Sequence, residues 1–276
     1  MLSNLKKKIV NLIDWLYLKS YDFYIFGKKK IDYGKSYHEL FLEIRDEKYF
    51  EIENLEKKMG HFLEKKWLDD LALKTQIVKK KSKLNYSHGR ALYSILCNYL
   101  QNLIISKKNE NVTILETGTA RGFSAICMSK ALNDKKIAGK IITIDVIGHY
   151  KKMFWNCIED ESGKKNRSEL ISKWQKELDN IIFLQGRSSV VLKSIGLNRI
   201  NFAFLDGQHD KESIKKEFEF VSDKQKKGDI IFFDDVNKDN FCELYDFVIE
   251  IENSKKYLLN YIQVNQSRSY AIATKN

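Results

Sequence analysis

The chain has 276 residues, 43% of them hydrophobic, and 48 Lys and Arg against 37 Asp and Glu give a formal net charge of +11. That length accommodates one sizeable α/β domain with a smaller element beside it, and the apolar content is that of a chain with a real core. No apolar run reaches the roughly 18 residues that span a bilayer, and the basic Lys6-Lys7-Lys8 leads into Asp14 with no small-residue cleavage site, which argues against a secretory leader.

The charge is not that of a nucleic-acid binder. Proline is absent and only seven arginines occur among the basic residues, a bias that fits AT-rich coding. The lysines are spread along the chain and usually stand beside Glu or Asp, as on a solvated surface, rather than clustering with aromatics on one face. Cys97, Cys127, Cys157 and Cys242 lie far apart and form no Cys-x-x-Cys pair, so neither zinc nor a disulfide framework is expected. The cytoplasm is the expected compartment.

Residues 1–85 read as a helical region. Leu2, Leu5, Ile9, Leu12, Ile13 and Leu16 repeat at three- and four-residue spacing and make one apolar stripe. With its lysines and Trp15 this first helix suits a membrane surface, but packing on the following domain, or on a second subunit in a homo-oligomer, is the favoured reading. Ser36-Tyr-His-Glu39 has the form of a capping box and predicts a helix running towards Met59-Gly60. From residue 86 a second domain begins with a helix over 87–105, whose apolar face is Leu92, Ile95, Leu96, Tyr99, Leu100 and Leu103. Strand patterns follow at 112–116, 141–145, 181–184, 200–205, 229–233, 257–264 and 269–274. The central ones are short continuous apolar runs, as in strands buried on both faces. Helical stretches between the first five imply a parallel sheet, while the last two are too close in sequence to pair other than antiparallel. Residues 147–180, with two tryptophans, exceed an ordinary crossover, and such insertions above a sheet often carry function.

Four motifs sit at strand ends. Ile114-Leu-Glu116-Thr-Gly118-Thr119-Ala-Arg-Gly122-Phe-Ser124 runs from strand through acid and glycine loop into a helix start. Glycine there permits close backbone approach to a ligand, and the helix N-terminus suits a carboxylate or phosphate. The dinucleotide fingerprint Gly-x-Gly-x-x-Gly is absent, against an NAD enzyme. Asp145 ends the second strand, where an acid accepts ribose hydroxyls or simply meets solvent. Asp206-Gly-Gln-His209 follows the fourth strand and Asp234-Asp235 the fifth. In an open parallel sheet these acids converge on one crevice. Three carboxylates there repel unless protonated or bridged by a cation, and oxygen ligands select Mg²⁺. The alternative reading is that one of the paired aspartates caps the next helix.

Together these motifs resemble class I S-adenosylmethionine (SAM)-dependent methyltransferases, and in particular the family that includes macrocin-type sugar O-methyltransferases. The resemblance covers roughly residues 86–276 and none of 1–85. It implies a Rossmann-like seven-stranded sheet, mostly parallel with an antiparallel last strand, to which the helical pattern of residues 1–85 adds an N-terminal helical extension. It also implies SAM held by Glu116, Gly118, Thr119, Gly122, Ser124 and Asp145, and Mg²⁺ held by Asp206, Asp234 and Asp235. His209 inherits the role of general base, with Asp206 beside it. Gln185-Gly186-Arg187-Ser188 stands where the family has Gly-Asp-Ser near the adenine, with Arg187 replacing the aspartate. The implied acceptor is a small molecule with a hydroxyl, such as a sugar or glycan. Two other readings stand beside it. A hydroxylase-like relative needs a redox cofactor, for which no His-rich iron site is visible. A non-catalytic SAM-binding scaffold is expected to have lost the acids, and all three are present. His88 and Arg90, ahead of the glycine loop, are candidates to close over the cofactor.

Overall fold

The computed structural model describes residues 8–9, 11–13, 15–16, 34–106, 111–266 and 268–276. Its sheet has seven strands: β1 (Val112–Thr117), β2 (Gly139–Asp145), β3 (Ile181–Gln185), β4 (Phe202–Leu205), β5 (Ile230–Phe233), β6 (Tyr257–Asn265) and β7 (Arg268–Lys275). Their order is β3-β2-β1-β4-β5-β7-β6. β1 to β5 are mutually parallel, and β7 lies antiparallel between β5 and β6. The chain order reverses between β1 and β4, and the crevice beyond their carboxyl ends is where ligands bind in such sheets. β4 and β5 are buried along their whole length, which is why they read as unbroken apolar runs rather than alternating ones.

From residue 34 onward ten α-helices accompany the sheet: α1 (Tyr37–Ile44), α2 (Phe50–Met59), α3 (Lys65–Thr75), α4 (Ser87–Ile105), α5 (Phe123–Lys135), α6 (Arg167–Leu170), α7 (Gln175–Leu178), α8 (Ser188–Ser194), α9 (Lys211–Ser222) and α10 (Cys242–Asn253). One core joins α1–α5 and the 147–180 segment to one sheet face, and a second joins α8–α10 to the other. Phe204 and Phe232 are fully buried in the first core with their rings edge-on at 5.5 Å, each contributing about 2–3 kcal/mol by burial.

One expectation for the N-terminal region needs correction. The helix predicted to run from Ser36 towards Met59-Gly60 is two helices. The Ser36–Glu39 capping box starts α1 as expected, and Gly60 at φ 72° ends α2, but the chain breaks between Ile44 and Phe50. Arg45 and Asp46 pair with each other at that break while Tyr49 turns into the core, so tertiary packing overrides a helical spacing that continues through it. Residues 8–9, 11–13 and 15–16 are helical, with Ile9, Leu12, Ile13, Trp15 and Leu16 49–58% exposed in the single chain and Trp15 lining a cavity with Ile147 and His149. Leu2 and Leu5 of the same stripe lie outside the described residues. No helix among the described residues is long and apolar enough to cross a membrane.

Candidate active site

The glycine loop is braced from below. Glu116, at the end of β1, is fully buried, and its carboxylate accepts the hydroxyls of Ser124 and Thr143. Thr143 also meets Thr119 at 2.5 Å. Burial raises the Glu116 pKa to about 7, against the lowering effect of those two hydroxyls and of Arg167. Glu116 and Ser124, expected to touch the cofactor, are bonded to each other behind the loop and hold its shape. Gly118 and Gly122 both have φ +89°, a region open to glycine. A Cβ at Gly118 would stand 1.9 Å from the Asp206 carbonyl oxygen, so this glycine lets the β1 and β4 loops lie against each other. Gly122 caps α5 without a side-chain acceptor, leaving the first-turn N–H groups to a ligand.

Asp145 ends β2 at the rim. Its Oδ2 accepts the Ala120 N–H at 2.6 Å and its Oδ1 the Ile147 N–H at 2.8 Å, tying the glycine loop to the start of the insertion. Ala120 takes φ 44° to reach it, an uncommon conformation for a residue with a Cβ. Beside Asp145 opens a cavity of about 460 Å³ lined in part by Ile147, His149, Arg167, Phe183 and Gln185. His149 stacks on Phe183 at 4.1 Å, and burial followed by the Arg167 charge lowers its pKa to about 4. Gly186 donates to the Asp145 carbonyl, Arg187 caps α8, and Ser188 opens that helix below the rim.

The insertion is ordered as a wall of this half. Trp155 is wholly buried, and its carbonyl accepts Arg121 Nε at 2.7 Å. Arg167 reaches back from α6: its Nε donates to the Ala120 carbonyl at 2.8 Å and its Nη2 to the Ile147 carbonyl at 3.2 Å. Nothing in local spacing reveals a contact made across 47 positions.

The β4 and β5 ends are arranged differently. Asp206, His209 and Asp235 each offer one atom to a group whose members lie within 4.8 Å of one another. His209 Nε2 stands 3.7 Å from Asp206 Oδ1 and 3.9 Å from Asp235 Oδ2, and this buried nitrogen has no hydrogen-bond partner. Burial, then the Asp234 charge, raises the Asp206 pKa to about 7 and raises that of Asp235 as well. Burial opposes the imidazolium of His209, but the adjoining Asp206 and Asp235 outweigh it and raise its pKa.

Asp234, expected in the cation set, is turned away from it. The side chain is fully buried, with Oδ1 accepting the Asp235 N–H at 2.7 Å and Oδ2 accepting Arg268 Nη2 at 2.5 Å. Burial works to raise its pKa, but Arg268 and the other groups around it hold it below the ordinary range. Neither aspartate caps a helix, since α10 starts only at Cys242 and its N-cap is Phe241. His88 and Arg90 do not cover the site: His88 is packed between Phe123 and Phe204, and Arg90 binds Glu56. Lys80, between α3 and α4, was not foreseen. It faces Arg268, Asp235 and Arg121, and burial, then Arg268, lowers its pKa.

Residues 115–236 match the family model described as a methyltransferase domain. Among solved structures the chain resembles the O-methyltransferase NovP, with 15% identity over 76% of this chain and 98% of that one at a TM-score of 0.52. It also resembles TomG of Streptomyces achromogenes, an O-methyltransferase involved in tomaymycin synthesis and seen in complex with SAM; identity is 15% over 78% and 92% of the two chains, at a TM-score of 0.51. The cofactor-bound protein Rv0187 from MTB is similar at 14% identity over 75% and 85%, with a TM-score of 0.51. No curated protein matches. Over residues 115–236 the chain thus resembles a methyltransferase domain, and its sheet has the fold of these solved structures.

Proposed function

We propose that the chain is a SAM-dependent O-methyltransferase that uses a divalent cation and acts on a hydroxyl of a sugar or other small metabolite. The observation that carries this reading is the grouping of Asp206, His209 and Asp235 directly across from the glycine loop. Ligands bound 2.0–2.6 Å from one ion lie at most about 4–5 Å apart, which this grouping satisfies. Carboxylate oxygens from Asp206 and Asp235 suit Mg²⁺ or Mn²⁺, which leaves His209 Nε2 outside the cation's shell to take a proton. A bound cation would supply orientation and acidification of the acceptor hydroxyl.

The residues of the chain divide the remaining work. Asp145 offers its free lone pairs to ribose hydroxyls, and the His149–Phe183 wall gives a flat apolar face to a purine. The open N–H groups at the start of α5 face the amino-acid carboxylate. His209, neutral once it has lost its proton, takes the hydroxyl proton at Nε2 as the oxygen attacks the methyl carbon. Holding the two reactants in line supplies much of the rate. TomG and NovP are both described as O-methyltransferases, which supports oxygen as the acceptor atom.

Radiolabelled SAM offered with nucleotide sugars, free glycans and small phenols tests this. Transfer to at least one hydroxyl acceptor, abolished by EDTA and restored by Mg²⁺ or Mn²⁺, is the expected result. Full turnover in chelator would remove the cation from the account.

A further inference from the structure

Arg268 opens β7, and the antiparallel register that sets Phe233 opposite Ala271 brings it beside the end of β5. Its guanidinium holds Asp234 at 2.5 Å and stands 3.6 Å, through Nε, from Asp235 Oδ1. It lies 5.7 Å from the Tyr270 ring, whose hydroxyl is 3.2 Å from that of Ser87 on α4. With one Asp234 oxygen on Arg268 and the other on the Asp235 N–H, that acid has its charge neutralised inside the protein. A buried ion pair offsets its desolvation cost only where the geometry is good and the remaining polar groups are bonded.

The same contacts set the neighbour. Asp235 has φ 55°, a conformation that a residue with a Cβ keeps only when its surroundings impose it. The Asp234 Oδ1 bond to its N–H is one such restraint, and in that conformation the Asp235 carboxylate faces Asp206 and His209.

We propose that Arg268 is a positioning residue that withdraws Asp234 from the cation set and, through Asp234, aims Asp235 into it. The cation is then held by two carboxylates with His209 beside them, although three aspartates stand at the two strand ends. The inference rests on the cation reading given above. It makes the β6–β7 hairpin, which carries no acid of the site, a determinant of which acids bind.

The test is Mn²⁺ binding, read from the free-ion electron paramagnetic resonance signal, with SAM affinity and thermal denaturation confirming the folded state. Asp235→Asn should lose more than about 100-fold in Mn²⁺ affinity. The double variant Asp234→Asn/Arg268→Gln removes the ion pair, keeps an acceptor for the Asp235 N–H, and should lose about 10- to 100-fold, the range seen when a supporting partner of a metal ligand is changed, less than Asp235→Asn loses. A double variant as weak as Asp235→Asn would make Asp234 a ligand and overturn the proposal. Should the double variant fail to fold, the anomalous signal of Mn²⁺ in wild-type crystals decides the matter. Manganese on Asp206 and Asp235 with Arg268 still on Asp234 supports the assignment, and manganese on Asp234 overturns it. Wild-type protein that takes up no Mn²⁺ would instead sink the cation reading, and the proposal with it.

Discussion

The two halves of the crevice contain the same kind of residue in opposite states. At the β1 and β2 ends, Glu116 and Asp145 have both carboxylate oxygens hydrogen-bonded, by hydroxyls in one case and backbone N–H groups in the other. At the β4 and β5 ends, Asp206 and Asp235 face each other and an unpartnered His209 nitrogen. Satisfied acids fix a loop in shape. Acids left facing one another carry an electrostatic cost that a cation or a proton relieves. In the proposed function the first half gives shape and cofactor binding, and the second gives cation binding and proton transfer.

The largest effect expected from breaking this division is at His209. His209→Ala should lower turnover by roughly 10²–10⁴-fold, the span for loss of a general base, with SAM affinity unchanged by calorimetry. The wild-type rate should fall at acidic pH as the imidazole protonates, and the variant should lose that limb. Near-normal turnover with the limb intact would make His209 a structural loop residue. Next is Gly118, where the halves touch. Gly118→Ala places a Cβ against the Asp206 carbonyl and should cost about 3 kcal/mol in stability, read by denaturant unfolding; a wild-type midpoint would mean the two loops are not in contact.

Arg167→Met sharpens the comparison within the cofactor half. Removing charged hydrogen bonds to the Ala120 and Ile147 carbonyls should weaken SAM binding by about 2 kcal/mol, while Mn²⁺ affinity stays put. Equal losses of both ligands would show the halves to be one cooperative unit.

The smallest effect is a pH dependence of stability at Glu116. Its pKa is raised by burial to about 7 from an ordinary 4.5, so the folded state binds the proton more tightly. That stabilisation is complete below 4.5 and is lost as pH rises through about 7. Glu116→Gln should flatten this part of the melting-temperature profile. A slope equal to that of the wild type would show that the carboxylate is not the group responsible.

The sheet was largely legible because its central strands are buried on both faces, so their residues announce themselves as short apolar runs. The antiparallel β7 was legible from the short connection around residues 265–268. The break before Phe50 was not, since the helical spacing continues through it and only the burial of Tyr49 decides. At the site, the sequence brings Asp206, His209 and Asp235 to the right strand ends, but adjacency cannot say which member of Asp234-Asp235 faces the crevice. That depends on a positive φ and on a guanidinium 34 positions away. The same holds for Glu116, whose place at a strand end looks identical whether its carboxylate points into the crevice or behind the loop.

The division of labour itself is tested most directly by titrating SAM into Asp145→Ala, with Asp206→Asn measured alongside. The account predicts that Asp145→Ala loses at least about tenfold in affinity, as expected for the loss of a charged hydrogen bond, while Asp206→Asn binds SAM as the wild type does. Wild-type affinity in Asp145→Ala, or an equal loss in both variants, would contradict it.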